Sequence, residues 1–475
     1  MSDALLRLYH RSPPALRSLI AGSRGYYLRA WRYGRDTEAL VAEALERESW
    51  PPEKWAGWQR SRAAELLWRA SRDVPFYREL WSARRRRGDA RAVEYLEHWP
   101  VLEKETLRRD PGAFVAADRR RSLMFHEHTS GTTGKPLDVW FTRETVKRWY
   151  ALFEARWRRW NGVSLADRWA LLGGQLVAPV AQQKPPFWTW NAGLRQLYMS
   201  SYHLAPRFLP SYADALVRYR IRYLWGYASS LYALAQSVLR EGRTDLRPVV
   251  AVTNAEPLYP HQREAIGAAF GCPVRETYGM TEIAVAAGEC ASGTMHLWPE
   301  VGIVEACDGD AALKEGETGE LVCTGLLNRD MPLIRYRVGD RGALGEGGAQ
   351  CSCGRTLPSL RSIEGRSDDV LLTADGRPVG RLDTVFKGSL PLREAQIIQD
   401  ARDHVRILFV PSEGYTPESG RAIVARLQDR MGPVRVTLEQ VERIPRSANG
   451  KFRAVVNSMG EAPAAAGARG EGNRG

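Results

Sequence analysis

The segment Thr129-Ser130-Gly131-Thr132-Thr133-Gly134-Lys135-Pro136 packs four hydroxyl residues, two glycines and a lysine into eight positions. Glycines let successive backbone N–H groups turn inward, hydroxyls add donors, and a lysine adds a point charge, so the expected chemistry is a phosphate cradle. It is not a Walker A loop. Two residues separate Gly131 from Gly134, and Pro136 stands where a Mg2+-binding Ser or Thr would be needed. The plain alternative is a polar glycine-rich turn, and the unbroken run of hydroxyl and glycine residues weighs against it. Only 8 of the 68 basic residues are lysine, and two of these, Lys135 and Lys451, sit in the most distinctive glycine-bearing loops. Those loops prefer a compact charge to a planar guanidinium.

Further along, Glu276-Thr-Tyr-Gly-Met-Thr-Glu282 sets Tyr278, Gly279, Thr281 and Glu282 within five residues. Such a set can stack a purine, admit a ligand close to the backbone, touch phosphate and hold Mg2+. Arg335-Tyr-Arg-Val-Gly-Asp340 presents a carboxylate behind a glycine, suited to two ribose hydroxyls. Glu364-Gly-Arg366-Ser-Asp368-Asp stands at a change in composition, and Pro445-Arg-Ser-Ala-Asn-Gly-Lys451-Phe-Arg presents a lysine on a Gly-flanked loop.

A different chemistry is spelled by Cys290-Ala-Ser-Gly-Thr-Met-His296 and Cys351-Ser-Cys353-Gly. Three thiols and one imidazole complete a tetrahedral structural Zn2+ site, with no position left for catalysis. Reduced surface cysteines are the alternative. Cys272, Cys307 and Cys323 read as small core residues on strands. Six cysteines in 475 residues make no disulfide framework.

Taken in order, these five motifs resemble the adenylate-forming superfamily of acyl-CoA synthetases, peptide-synthetase adenylation domains and luciferase. They are most similar to the phenylacetate–CoA ligase family. His128-Thr-Ser-Gly-Thr-Thr-Gly, Cys353-Gly-Arg-Thr-Leu-Pro and Arg393-Glu-Ala-Gln-Ile resemble its capsular polysaccharide biosynthesis branch, and the resemblance runs from about residue 50 to 458. It implies ATP-dependent formation of an acyl-adenylate, then transfer to a thiol. Thr129 to Lys135 would bind phosphates, and Ala255 and Glu256 would lie along adenine and the acyl group. Tyr278 and Gly279 would frame adenine, Thr281 would meet the α-phosphate, and Glu282 would hold Mg2+. Asp340 and Arg366 would grip ribose, Asp368 would be the hinge, and Lys451 would reach the α-phosphate and carboxylate. His128 could line the acyl pocket, with Trp225 to Ser230, Thr253 to Glu256 and Tyr278 to Ile283. The segment Thr373 to Arg381 departs from phenylacetate–CoA ligases in reading as a hairpin, so the acid and the acceptor thiol are not read from the resemblance.

Elements of α/β type must position these residues. Apolar runs at 168–173, 223–226, 249–253 and 274–278 read as strands alternating with amphipathic helices, and 300–345 is β-rich. The expected domains are a helical N-terminal region (1–100), a large ATP- and acyl-binding domain (101–366) and a small mobile α+β domain (367–460). A disordered tail (461–475) follows. Within the first region, Trp55, Trp58, Ala63, Leu66, Leu67 and Ala70 recur at helical spacing up to Val74-Pro75.

The net charge of +13 arises from arginine used throughout the chain, and the runs Arg84 to Arg87 and Arg119 to Arg121 have no aromatic interleaving, so nucleic acid is not an expected partner. No apolar run has the length of a membrane span, and the first twenty residues lack a signal-peptide pattern. The expectation is a cytoplasmic enzyme, with at most peripheral membrane contact through its first helix. Its partners would be a small-molecule acid and coenzyme A, or a carrier-protein or amine acceptor; homodimers occur among relatives. A non-catalytic basic surface-binding protein is the reading from another class, and Lys451, Glu282 and Asp340 argue against it.

Overall fold

The structure is a computed structural model that describes residues 8–129, 137–179, 181–256, 258, 260–346, 351–364, 371–379, 382–386, 390–411, 413–442, 444 and 455–459. Ser130 to Pro136, Arg366, Asp368, Lys451 and the tail 461–475 therefore lie outside the described residues.

After helical residues at 8–11 come α1 (Pro14–Arg32), α2 (Thr37–Glu46), α3 (Pro52–Asp73) and α4 (Pro75–Arg86). Proline at the first helical position starts three of them, where its missing N–H costs nothing. The helical spacing from Trp55 to Ala70 lies within α3 and buries Trp55, Ala63, Leu66, Leu67 and Ala70. Helix α5 (Lys104–Arg109) follows a short extended segment. The hairpin β1 (Phe125–His128) and β2 (Asp138–Phe141) then brackets the glycine-rich loop.

Helix α6 (Arg143–Leu152) runs into a π-helical turn, Phe153–Arg158. The central unit comprises β3 (Trp169–Gly173), β4 (Trp188–Asn191), β5 (Gln196–Ser200), α7 (Leu209–Arg218), β6 (Tyr223–Gly226), α8 (Ala228–Arg240), β7 (Val250–Thr253), α9 (Pro260–Phe270) and β8 (Val274–Gly279). Strands β5, β3, β6, β7 and β8 are parallel neighbours in that order, and β4 closes one edge antiparallel. The buried runs of β6 and β7 are what a parallel sheet covered on both faces requires.

From β8 the sheet continues antiparallel. It takes in β9 (Ala286–Glu289), β10 (Met295–Leu297), β11 (Gly302–Asp308), β12 (Ala311–Ala312), β13 (Thr318–Gly325), β14 (Tyr336–Leu344) and β15 (Ser359–Glu364). One face packs Trp169, Tyr223, Trp225, Val250 and Val252 against the N-terminal helices and the π-helical turn, where Trp157 and Trp298 lie 4.5 Å apart. The other face packs Ala170, Leu172, Leu224 and Ala251 against α7, α8 and α9.

The C-terminal unit contains the short hairpin β16 (Leu371–Leu372) and β17 (Pro378–Val379), the strands β18 (Leu392–Ala401) and β19 (His404–Pro411), α10 (Pro417–Met431), β20 (Arg435–Gln440) and β21 (Val455–Asn457). Its four-stranded sheet has the order β20–β19–β18–β21 and a separate core of Ile397, Ile407, Phe409, Ile423 and Leu427. The α/β class and the hairpin reading around 373–379 hold. One correction concerns Cys272: it is buried, but in the turn between α9 and β8 and not on a strand, because Gly271 with φ +60° ends the helix there.

Candidate active site

In a parallel sheet, ligands bind beyond the carboxyl ends of the strands, where loops leave for the helices. Here β6, β7 and β8 release Tyr227, Asn254-Ala255-Glu256 and the turn after Gly279 at one edge. Asn254 N–H donates to Gly226 O at 3.0 Å, which lays this segment over the end of β6. Ala255 takes the left-handed φ of +63°, an unfavourable geometry for a residue with a Cβ. Glu256 Oε2 accepts from Ser229 N–H at 2.9 Å, in the first turn of α8, where a carboxylate complements the helix dipole. Asn254 Oδ1 is buried with no hydrogen-bond partner among the described residues. An orphaned acceptor of this kind is a place for a ligand donor.

Beside it, Tyr278 O–H donates to Asp340 Oδ2 at 2.8 Å, joining β8 to β14. Gly279 packs with only 3.6–3.9 Å between the site of a Cβ and Val285 O, the Trp157 ring and Ala286. The chain then turns through Met280, Thr281 and Glu282, closed by Ile283 N–H to Met280 O at 3.1 Å, with Ile283 at φ +53°. Glu282 is only 6% exposed. Its Oε1 accepts from Tyr336 O–H at 3.1 Å and lies 3.3 Å from Lys104 Nζ. A buried carboxylate needs such partners. The segment 101–103 supplies one of them by pairing with β14: Leu102 N–H donates to Arg335 O and Arg337 N–H to Leu102 O, which brings α5 and Lys104 to Glu282.

Sequence reasoning missed Lys104, although it is one of only eight lysines. Nearby, burial and the neighbouring Glu289 push the Glu276 carboxyl above its usual range. Trp225, read as an acyl-pocket residue, is buried in the core, where Phe153 stacks on it at 4.9 Å and Trp157 meets it edge-on at 5.4 Å. Thr129 is buried at the root of the glycine-rich loop, where its hydroxyl accepts from Leu137 N–H at 3.0 Å. His128 faces Asp138 on the exposed side of the hairpin.

The four residues read as a metal set also come together. Cys290 Sγ and Cys351 Sγ are 3.8 Å apart, Cys353 Sγ and His296 Nε2 are 3.4 Å apart, and all four donor atoms lie within 4.8 Å of one another. His296 is held through its other nitrogen, Nδ1, which sits 3.1 Å from Leu357 O. That frees Nε2 for a ligand. Both thiol turns depend on a glycine at positive φ, Gly293 at +83° and Gly354 at +82°. At Cys351, burial opposes ionisation, yet hydrogen bonds with Thr294 and the Cys353 backbone bring its thiol down to about 6.

Residues 73–327 match the AMP-binding enzyme family, and residues 371–458 match the CapK C-terminal domain. The chain belongs to the AMP-binding enzyme family. It is an adenylate-forming ligase of the phenylacetate–CoA ligase and CapK type. Protein CapK of Staphylococcus aureus is 24% identical over 458 residues, covering 95% of this chain and 99% of that protein. The phenylacetate-coenzyme A ligase of Escherichia coli is 30% identical over 337 residues, 66% of this chain and 71% of the ligase. A 2-hydroxyisobutyryl-CoA ligase, solved with 2-HIB-AMP and CoA in the thioesterification state, shares the fold. Its TM-score is 0.55 at 21% identity, over 86% of this chain and 91% of that one. Among the described residues, no helix of the ligase is long and apolar enough to cross a membrane.

Proposed function

We propose that this adenylate-forming ligase activates a carboxylic acid with ATP and transfers the acyl group to a thiol, with coenzyme A as acceptor. The observation that carries the reading is the strand-end cluster of Asn254, Tyr278, Glu282 and Asp340, where an orphaned acceptor, an aromatic face and two carboxylates converge. Asn254 Oδ1 offers an acceptor for the exocyclic amine of adenine, Tyr278 a face for its ring, and Asp340 with Arg366 acceptors and donors for ribose. The loop from Thr129 to Lys135, including Ser130, Gly131, Thr132, Thr133 and Gly134, holds the phosphates.

A carboxylate oxygen of the acid attacks the α-phosphorus, the α–β anhydride bond breaks, and pyrophosphate leaves. Charge builds on phosphoryl oxygens, and Lys451 and Thr281 are the chain's own donors to them. The thiol sulfur then attacks the acyl carbon, a C–S bond forms and AMP departs. The 371–458 unit turns about Asp368 between the two steps, withdrawing Lys451. Glu282, an oxygen donor balanced by Lys104, fits Mg2+, which when bound neutralises phosphate charge. Cys290, His296, Cys351 and Cys353, with the imidazole already oriented by Leu357, fit a closed structural Zn2+ site.

Pyrophosphate release with ATP and Mg2+ across aryl, aliphatic, hydroxy and amino acids, with and without coenzyme A, tests the proposal. Release that needs one acid class and rises with coenzyme A is the expected result. Release indifferent to coenzyme A replaces it with a carrier protein or an amine as acceptor. Absence of both release and ATP binding sinks the reading in favour of a non-catalytic surface-binding protein.

A further inference from the structure

The hairpin that leads into and out of the glycine-rich loop carries another group of metal-ligating side chains. In β1 and β2, His128 stands opposite Asp138 and His126 opposite Trp140. Strand alternation puts His126 and His128 on one face, and Asp138 meets them from across the ladder. His126 Nε2 lies 2.9 Å, and His128 Nδ1 2.6 Å, from the same atom, Asp138 Oδ1. The two rings are 4.3 Å apart, and His126 is fixed by stacking on Trp140 at 4.9 Å and 8°. The three donors are half-exposed, at 39%, 56% and 39% of their side-chain surface.

We propose that His126, His128 and Asp138 form a site for a borderline divalent cation such as Zn2+ or Co2+, with open coordination positions beside the root of the phosphate loop. Two imidazoles and one carboxylate suit such cations, and the Cys290 cluster, with its three sulfurs, is a separate and softer set. Bonds of about 2.1 Å put adjacent donors roughly 3 Å apart in an octahedral shell, close to the separations here. As the side chains stand, one carboxylate oxygen answers two imidazole nitrogens, Nε2 of His126 and Nδ1 of His128. A bound cation removes that constraint and engages all three donors at once.

The site is anchored. Thr129 N–H donates to Leu137 O at 2.9 Å and Leu137 N–H returns to Thr129 Oγ1 at 3.0 Å, so the strand ends carrying His128 and Asp138 are tied together where the loop begins. Donors on one exposed face leave the opposite coordination positions free for exogenous oxygens. The oxygens of a triphosphate or pyrophosphate are the nearest candidates, a step that rests on the reading of 129–135 as the phosphate loop.

The experiment loads the full chain with one equivalent of Zn2+ to occupy the thiols, then titrates Co2+ without nucleotide, following heat and the visible spectrum. One Co2+ per chain is expected, with the weak absorption of nitrogen and oxygen ligation and none of the intense thiolate bands. The double variant His126→Gln/His128→Gln is expected to bind Co2+ at least about 10-fold more weakly, and Asp138→Asn, which keeps the hairpin's shape, to weaken it similarly. Unchanged melting temperatures of the metal-free variants show that the hairpin has folded. Pyrophosphate is expected to tighten Co2+ binding in the wild type and not in the double variant. Equal Co2+ affinity in wild type and variants, or none, overturns the site. Co2+ binding indifferent to pyrophosphate overturns its link to the phosphate loop. No acid, nucleotide or turnover enters the titration, so its failure is separate from a failure of the adenylation reading.

Discussion

The strand-end cluster and the Cys290 cluster hang from the same sheet, and both are built from buried and half-buried polar groups, yet they are finished in opposite ways. Around Cys290, three sulfurs and one imidazole face one another, the second nitrogen of His296 is already engaged, and two glycine turns close around them. Arg355 of the second turn is bolted to Glu48 at 2.8 Å, so the set also ties the sheet to the N-terminal helices. At the strand ends, Tyr278 holds Asp340, while Lys104 and Tyr336 hold Glu282, and Asn254 Oδ1 has no partner among the described residues. Under the proposed function, those are bonds that a ligand exchanges for its own. A closed set contributes stability; an open set of mutually satisfied charges contributes binding and rate.

The contrast breaks most easily at Lys451 and Glu282. Lys451→Ala is expected to lower pyrophosphate release on the order of 10²-fold or more, with melting temperature unchanged. A near-normal rate removes the lysine from the first chemical step. Glu282→Gln should cost a similar factor, part of which excess Mg2+ recovers if the carboxylate holds the ion.

Next in size is the cysteine set. Cys353→Ser, or extraction of metal by a chelator, is expected to cost roughly 3 kcal/mol, or about 5 °C in melting temperature. The rate per folded molecule should hold. A variant that loses rate but not stability would make this cluster part of the active site and erase the distinction.

The smallest effect sharpens the open site. Tyr278→Phe keeps the aromatic face and loses one hydrogen bond, so ATP KM should rise by a factor of about 5, equivalent to roughly 1 kcal/mol. Tyr278→Ala, which also removes the ring, should cost more. Equal effects of the two substitutions would mean that the hydroxyl, and not stacking, matters.

Much of the frame was legible because the buried parallel strands leave a local trace. The runs at β3, β6 and β7 are short, apolar and bounded by turns, which is what a doubly covered strand must be. The Cys-x5-His and Cys-x-Cys spacings foretold a cluster because a tetrahedral site constrains spacing within each half. The hairpins that begin with β1 and β4 were not legible, unlike the one at β16 and β17. β1 is Phe-His-Glu-His and β4 is Trp-Thr-Trp-Asn, four residues each, too short and too polar for period two to declare itself. Glu256 was read as a ligand contact, and its bond to the first turn of α8 was not foreseen, since nothing in Ala255-Glu256 points to Ser229.

Residue types and their order were enough to determine the kind of chemistry: a hydroxyl- and glycine-rich loop, a Tyr-Gly-x-Thr-Glu segment, an Asp behind a glycine and a lysine on a late loop. Which charges answer one another was decided by the tertiary fold alone. Lys104 meets Glu282 across 178 residues, and Tyr278 meets Asp340 across 62. The pairing of 101–103 with β14, and the sheet order from β8 through β9, β10 and β15 to β14, bring them there. Local periodicity records which face a side chain takes, and holds no information about which distant strand will lie beside it.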